Sequence, residues 1–112
     1  MIDSKIEDLF GACPYATVQK IFSGKWNILI MHLLSEKTYR FGEMQRALGN
    51  VTQSSLTKQL RFLETYGMIN RKVFQEIPPK VEYSLTGLGK EFMPVLDAFE
   101  KFGDKCIEYM KA

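Results

Sequence analysis

The sequence predicts a mainly α-helical domain with one small β-hairpin, and three observations carry that prediction. Apolar residues recur at helical spacing through most of the 112-residue chain. One stretch, Lys80 to Leu85, instead alternates polar and apolar residues, the period of a strand with a single buried face. Immediately before it lies Ile77-Pro78-Pro79, which can neither continue a helix nor sit in a central strand. The length suits one domain, 1–112, around one core, and a composition of 46% hydrophobic and 25% charged residues is that of a globular chain.

The elements follow in order. Ser4 with Glu7 is a capping-box pattern, and Ile6, Leu9 and Phe10 share a face, so a short helix over about 4–11 is expected, ended by Gly11. Pro14 suits the first turn of a second helix, which runs through Val18 and Ile21 to about Phe22. Lys25 to Leu34 reads as a helix that is apolar nearly all round and hence buried, with Trp26 and His32 expected in the core. Tyr39-Arg40 is a short extended segment. Phe41, Met44 and Leu48 mark the next helix, stopped by Gly49. Thr52 is a candidate N-cap for Gln53 to Tyr66, with Leu56, Leu60 and Leu63 facing inward. Two helices joined by a tight glycine turn form a helix-turn-helix. A hairpin over about 68–85 comes next, which completes the winged helix-turn-helix arrangement.

The last segment runs from Thr86 to the C-terminus. Leu88, Phe92, Val95, Phe99, Phe102, Cys106 and Tyr109 are spaced alternately four and three apart, a heptad seam that Pro94 is expected to kink. Met93, Leu96, Ile107 and Met110 widen the apolar stripe beyond the needs of one small core. The helix over about 87–111 is therefore expected to meet a second copy of the chain.

Much chemistry is excluded by shortage of parts. Two cysteines, Cys13 and Cys106, make neither a disulfide scaffold nor a cysteine-rich zinc site, and one histidine leaves general-base and metal chemistry few candidates. No metal, cofactor or enzymatic activity is expected. The run from Ile28 to Leu34 is too short for a bilayer, and Asp3, Lys5, Glu7 and Asp8 stand where a signal peptide needs apolar residues. Gly87-Leu88-Gly89 lacks the third glycine of a dinucleotide loop, which falls at Phe92. Gly24-Lys25 lacks the earlier glycine of a phosphate loop, which falls at Gln19.

Charge is distributed unevenly. The chain carries +2 in all, yet residues 37–72 hold seven basic side chains against Glu43 and Glu64, a local +5 between acidic flanks. A basic middle suggests a face that meets a polyanion. With the leucines inward, Ser54, Thr57, Lys58 and Arg61 fall on the opposite side, joined by Gln53 at the helix start. The N-terminal part of such a second helix touches base edges in the major groove, where Gln pairs with adenine and Arg or Lys with guanine. Arg71, Lys72 and Lys80 of the wing, with Arg40 and Arg46 and more weakly Gln45, are candidates for backbone phosphates or the minor groove. Double-stranded operator DNA is the expected partner. A radius of gyration of about 13 Å for one copy, set against half-sites roughly 34 Å apart, favours a pair of copies on a near-palindromic site.

The chain resembles the HxlR-type winged-helix transcription regulators, relatives of the MarR type. The resemblance rests on Cys13-Pro14, Gly24-Lys25-Trp26, Arg40-Phe41-Gly42-Glu43-Met44, Leu56 through Glu64 with Gly67, and Pro78 through Thr86. It implies cytoplasmic homodimers on operator DNA, paired through their N- and C-terminal helices. Many members have Gln-Lys where this chain has Gln53-Ser54, which implies a changed contact there. A cysteine at the position of Cys13 senses electrophiles or oxidants in some members. Here it would sit at the positive end of a helix dipole, which favours the thiolate. Cys106 is the candidate partner across the interface, while packing is the competing reading for both thiols. Two further functions stay open: a winged-helix module that binds protein instead of DNA, and a thiol redox enzyme, for which Cys13 lacks a Cys-x-x-Cys partner.

Overall fold

Why the chain turns where it does is visible at its caps. A computed structural model describes residues 5–112. After a 3₁₀ turn at Ile6–Asp8 come α1 (Pro14–Ile21), α2 (Asn27–Glu36), β1 (Tyr39–Arg40), α3 (Phe41–Leu48), α4 (Gln53–Thr65), β2 (Ile69–Phe74), β3 (Lys80–Leu85), α5 (Gly87–Glu91) and α6 (Met93–Lys111). Thr52 caps α4 as expected, its Oγ1 accepting from the N–H of Ser55 at 3.1 Å. Gly49 (φ 93°) and Gly67 (φ 78°) close α3 and follow α4 in the left-handed region that other residues avoid.

Helices α2, α3 and α4 enclose the core with the sheet. Ile30, Met31, Met44, Leu56, Leu60 and Leu63 are all essentially inaccessible. The leucines of α4 therefore anchor it from behind, and its opposite side is left to solvent. The sheet has three strands in the order β1-β3-β2, all antiparallel. The hairpin pairs Ile69 with Leu85 at its base and Phe74 with Lys80 near its tip. The Tyr39-Arg40 segment adds the third strand, pairing Tyr39 with Tyr83 and Arg40 with Glu82. Sequence pattern gave the hairpin; the third pairing is a long-range one that no local period encodes.

Four expectations need correction. The N-terminal helix reduces to the single turn Ile6–Asp8, because Leu9 leaves helical geometry and Gly11 takes φ 86°; Ser4 and its capping box lie outside the described residues. Helix α2 begins at Asn27, and only its Asn27, Ile30, Met31 and Leu34 stripe is buried. Ile28, Leu29 and His32 lie on its exposed side, so His32 is no core histidine. Trp26 is half-buried against the core rather than inside it. Finally, the C-terminal segment is two helices. Pro94 has no N–H to give to a continuing helix, so it falls in the first turn of α6, and Phe92 serves as C-cap of α5 and N-cap of α6.

Thr86 locks this junction to the rest. Its hydroxyl donates to the carbonyls of Gly67 and Met68 and accepts from the N–H of Gly89 at 2.9 Å. Phe92 stacks on Phe22 with ring centres 4.3 Å apart, and Leu96 is buried. Phe99 still meets Phe92 edge-on, ring centres 6.0 Å apart, and beyond it α6 leaves the domain. Val95, Phe99, Phe102, Ile107 and Met110 are exposed along it. The projecting helix accounts for a radius of gyration of 16.3 Å, above the roughly 13 Å of a compact chain this long. No helix among the described residues is long and apolar enough to cross a membrane, and no cluster of three metal-ligating side chains occurs among them.

Candidate nucleic-acid interface

The turn between α3 and α4 fixes how α4 is presented. Gln45 of α3 donates to the carbonyl of Val51 at 3.3 Å, so it braces the turn instead of standing free as a contact. Gln59 accepts from the N–H of Trp26 at 2.8 Å, which ties the start of α2 to the flank of α4. That positioning role has no sequence signal, since the partners are 33 residues apart. With α4 held from behind and from the side, Thr52, Gln53, Ser54, Thr57, Lys58 and Arg61 line one open hollow of about 730 Å³. The four residues that helical spacing assigned to this face are on it, with Gln53 of the helix start beside them.

A second hollow, about 400 Å³, lies between α4 and the wing. Gln53, Thr57, Arg61 and the acidic Glu64 of α4 line it with Arg71, together with Phe41 of α3 and Val81 and Tyr83 of β3. The wing's three candidate cations divide between faces. Arg71 pairs across from Tyr83 and faces α4, whereas Lys72 and Phe74 alternate onto the other side. There Lys72 and Lys80 both sit over the ring of Phe74, at 4.8 and 4.5 Å from its centre. Lys80 also pairs with Glu82 at 3.4 Å, which removes part of its charge from any outside partner.

Arg40 and Arg46 share a hollow with Glu43 and Glu82, so the electrostatics there are mixed. Glu43 has a structural duty at this corner. It accepts from the N–H of Arg40 at 3.0 Å and pairs with Lys37 at 3.3 Å. The Arg40 N–H and the Lys37 ammonium hold its carboxyl below the usual carboxylate range. Among the described residues the ion pairs are those of Lys37 with Glu43 and Lys80 with Glu82. Lys58, Arg61 and Arg71 are all exposed and have no such partner. Arg40, Arg46 and Lys72 are likewise exposed and outside both ion pairs, so a polyanion would find all six free. Cys13 is half-buried as N-cap of α1, and Cys106 is half-buried on α6.

Two helices with a glycine turn, a hairpin beside the second, and a polar cationic face on that helix define a winged helix-turn-helix protein. Similarity to known proteins narrows this further. The model of the HxlR-like helix-turn-helix family matches residues 21–111, and the chain belongs to that family. It is 45% identical over 96 residues to the HTH-type transcriptional regulator sll1512 of Synechocystis, covering 86% of this chain and 71% of that one. It is 44% identical over 105 residues to the HTH-type transcriptional regulator YdeP of Bacillus subtilis, covering 93% and 80%. Among solved structures, one described as the HTH-type transcriptional regulator ytcD superposes with a TM-score of 0.83 at 36% identity, covering 86% of this chain and 98% of that chain. The reduced form of the redox regulator HypR gives a TM-score of 0.83 at 32% identity, covering 88% and 98%. The chain is thus a transcriptional regulator of the helix-turn-helix type, a class of proteins that are not enzymes.

Proposed function

We propose that this regulator binds double-stranded DNA sequence-specifically, as a cytoplasmic homodimer formed by the single domain 1–112. Helix α4 enters the major groove with Gln53, Ser54, Thr57, Lys58 and Arg61, and the wing lies on the backbone or minor groove with Arg71, Lys72 and Lys80, next to Arg40. One observation carries the reading: α4 turns its unpaired cations and hydroxyls outward over three inaccessible leucines. Pairing is supported by the apolar side chains along the projecting part of α6, with Ile6 and Leu9 of the N-terminal segment also exposed. Patches of that kind are uncommon on monomers.

The test is selection of bound duplexes from a random pool, followed by titration. A near-palindromic duplex should emerge. With about five phosphate contacts per subunit, log affinity should fall against log salt with a slope near −9. Lys58→Ala with Arg61→Ala should abolish binding without loss of fold. A flat salt response, or a double variant that binds as well as the parent, refutes the proposal and favours a module that binds protein.

A second reading, response to oxidants through Cys13, draws support from the likeness to HypR. It also draws on the place of Cys13, half-buried as N-cap of α1. Cys106 is the candidate partner in the other subunit. Treatment with diamide should give a covalent dimer on a non-reducing gel and altered DNA binding. Absence of both ends this reading and leaves the two thiols as packing groups.

A further inference from the structure

The tip of the wing is chemically unlike the rest of the proposed interface. Ile77 is 101% exposed, the most exposed large apolar side chain among the described residues, and Pro78 and Pro79 beside it are exposed as well. None of these three side chains can donate a hydrogen bond, and neither proline has a backbone N–H. Those three residues therefore have little to offer a phosphate or a base edge, and the loop's hydrogen-bonding side chains, Gln75 and Glu76, stand just before them. The three offer carbon.

Its position relative to α4 decides what that carbon meets. Arg71 shares a hollow with Arg61 of α4, and Val81, the partner of Val73, lines it too, so the hairpin runs beside α4 as far as the Val73–Val81 pair. One further residue of strand reaches Phe74, and Ile77 lies three residues beyond. At about 3.3 Å per residue this carries Ile77 roughly 10–15 Å from the edge of α4. With α4 in a major groove about 12 Å wide, that reach crosses one phosphate ridge and arrives at the adjacent minor groove. The approach is lined by cations. Lys72 and Lys80 flank Phe74 just behind the tip, and Arg40 lines a hollow with Pro78, Pro79 and Lys80. Two acids oppose them: Glu82 pairs with Lys80 and offsets part of its charge, and Glu76 lies in the same hollow as the prolines, so Lys72 and Arg40 are the cations left free along the approach.

We infer that Ile77, stiffened by Pro78 and Pro79, is an apolar wedge that enters the minor groove beside each half-site and partly unstacks one base step. The inference rests on the DNA-binding reading above. A rigid tip loses little freedom on binding, and an isoleucine that is wholly exposed in the free protein gains by burial against a base face. Pyrimidine–purine steps unstack most readily, so the wedge selects such a step at a position that α4 never touches.

The test uses the duplex selected by the parent protein, with 2-aminopurine walked through the steps flanking each half-site. Parent protein should raise its fluorescence at one flanking step. Ile77→Ser should abolish that rise and weaken binding roughly tenfold, while Ile77→Leu retains both. Because the side chain touches nothing in the fold, thermal midpoints should be unchanged, so a loss of signal reports the contact. Ile77→Ser binding with parental affinity and parental fluorescence overturns the wedge, as does weaker binding with no fluorescence change at any step for the parent. Failure of the underlying reading looks different: no duplex is recovered, or Lys58→Ala with Arg61→Ala binds normally, and the wedge falls with it.

Discussion

Gly89 gives a demanding test of how the wing and the terminal helices are joined. It is buried in α5, directly against the backbone of Met68. A Cβ there would overlap the carbonyl oxygen of Met68, lie 3.2 Å from its carbonyl carbon and 3.4 Å from a methyl of Leu85. Backbone cannot swing aside as a flexible side chain does, so Gly89→Ala must push α5 off β2. That carbonyl accepts from the N–H and the hydroxyl of Thr86, each at 3.2 Å. Losing two such bonds at about 0.5–1.5 kcal/mol each, plus about 1–3 kcal/mol of overpacking, gives a destabilisation of roughly 2–6 kcal/mol. For a domain of this size that lowers the thermal midpoint by roughly 8–30 °C. Gly87, two residues earlier, has nothing within 4 Å of its Cβ position. Gly87→Ala should be neutral or stabilising by about 0.4–1 kcal/mol, through loss of freedom in the unfolded chain. Thermal and urea unfolding at matched protein concentration measure both. A midpoint for Gly89→Ala within 2 °C or so of the parent, where about 1 kcal/mol would already show, refutes the packing argument.

Three further outcomes are expected. Thr52→Ala removes the cap of α4 and should cost about 1 kcal/mol, read from the urea midpoint, while Thr52→Ser should restore most of it. Glu43 has its carboxyl held below the usual range, so its stabilisation is present above the unfolded-state value and is lost as pH falls through the folded one. Glu43→Gln should therefore flatten the acid side of the stability–pH curve, and an unchanged curve tells against the Arg40 and Lys37 contacts. Phe102→Asp places a charge on the exposed seam of α6 and should shift light-scattering mass to that of a monomer, weakening DNA binding with it. A dimer that survives this change pairs through some other surface.

What the sequence determined by itself was whatever depends on neighbours three or four residues apart, or two apart in a strand. The Leu56, Leu60, Leu63 stripe placed Ser54, Thr57, Lys58 and Arg61 on the outer face of α4, and the structure keeps all four there beside Gln53 of the first turn. Thr52 as cap, Gly49 as stop and Ile77-Pro78-Pro79 as hairpin tip were legible for the same reason, because propensity and capping act locally. Tertiary structure decided the rest. Only packing shows that α2 buries one stripe and leaves His32 outside, since an almost wholly apolar helix has no period to read. The pairing of Tyr39-Arg40 with β3, the bond from Trp26 to Gln59 and the split of Arg71 from Lys72 all join residues that are distant in sequence or on opposite faces of a strand. Such contacts form when burial of the whole chain offsets the entropy of bringing them together, and no local pattern records that balance.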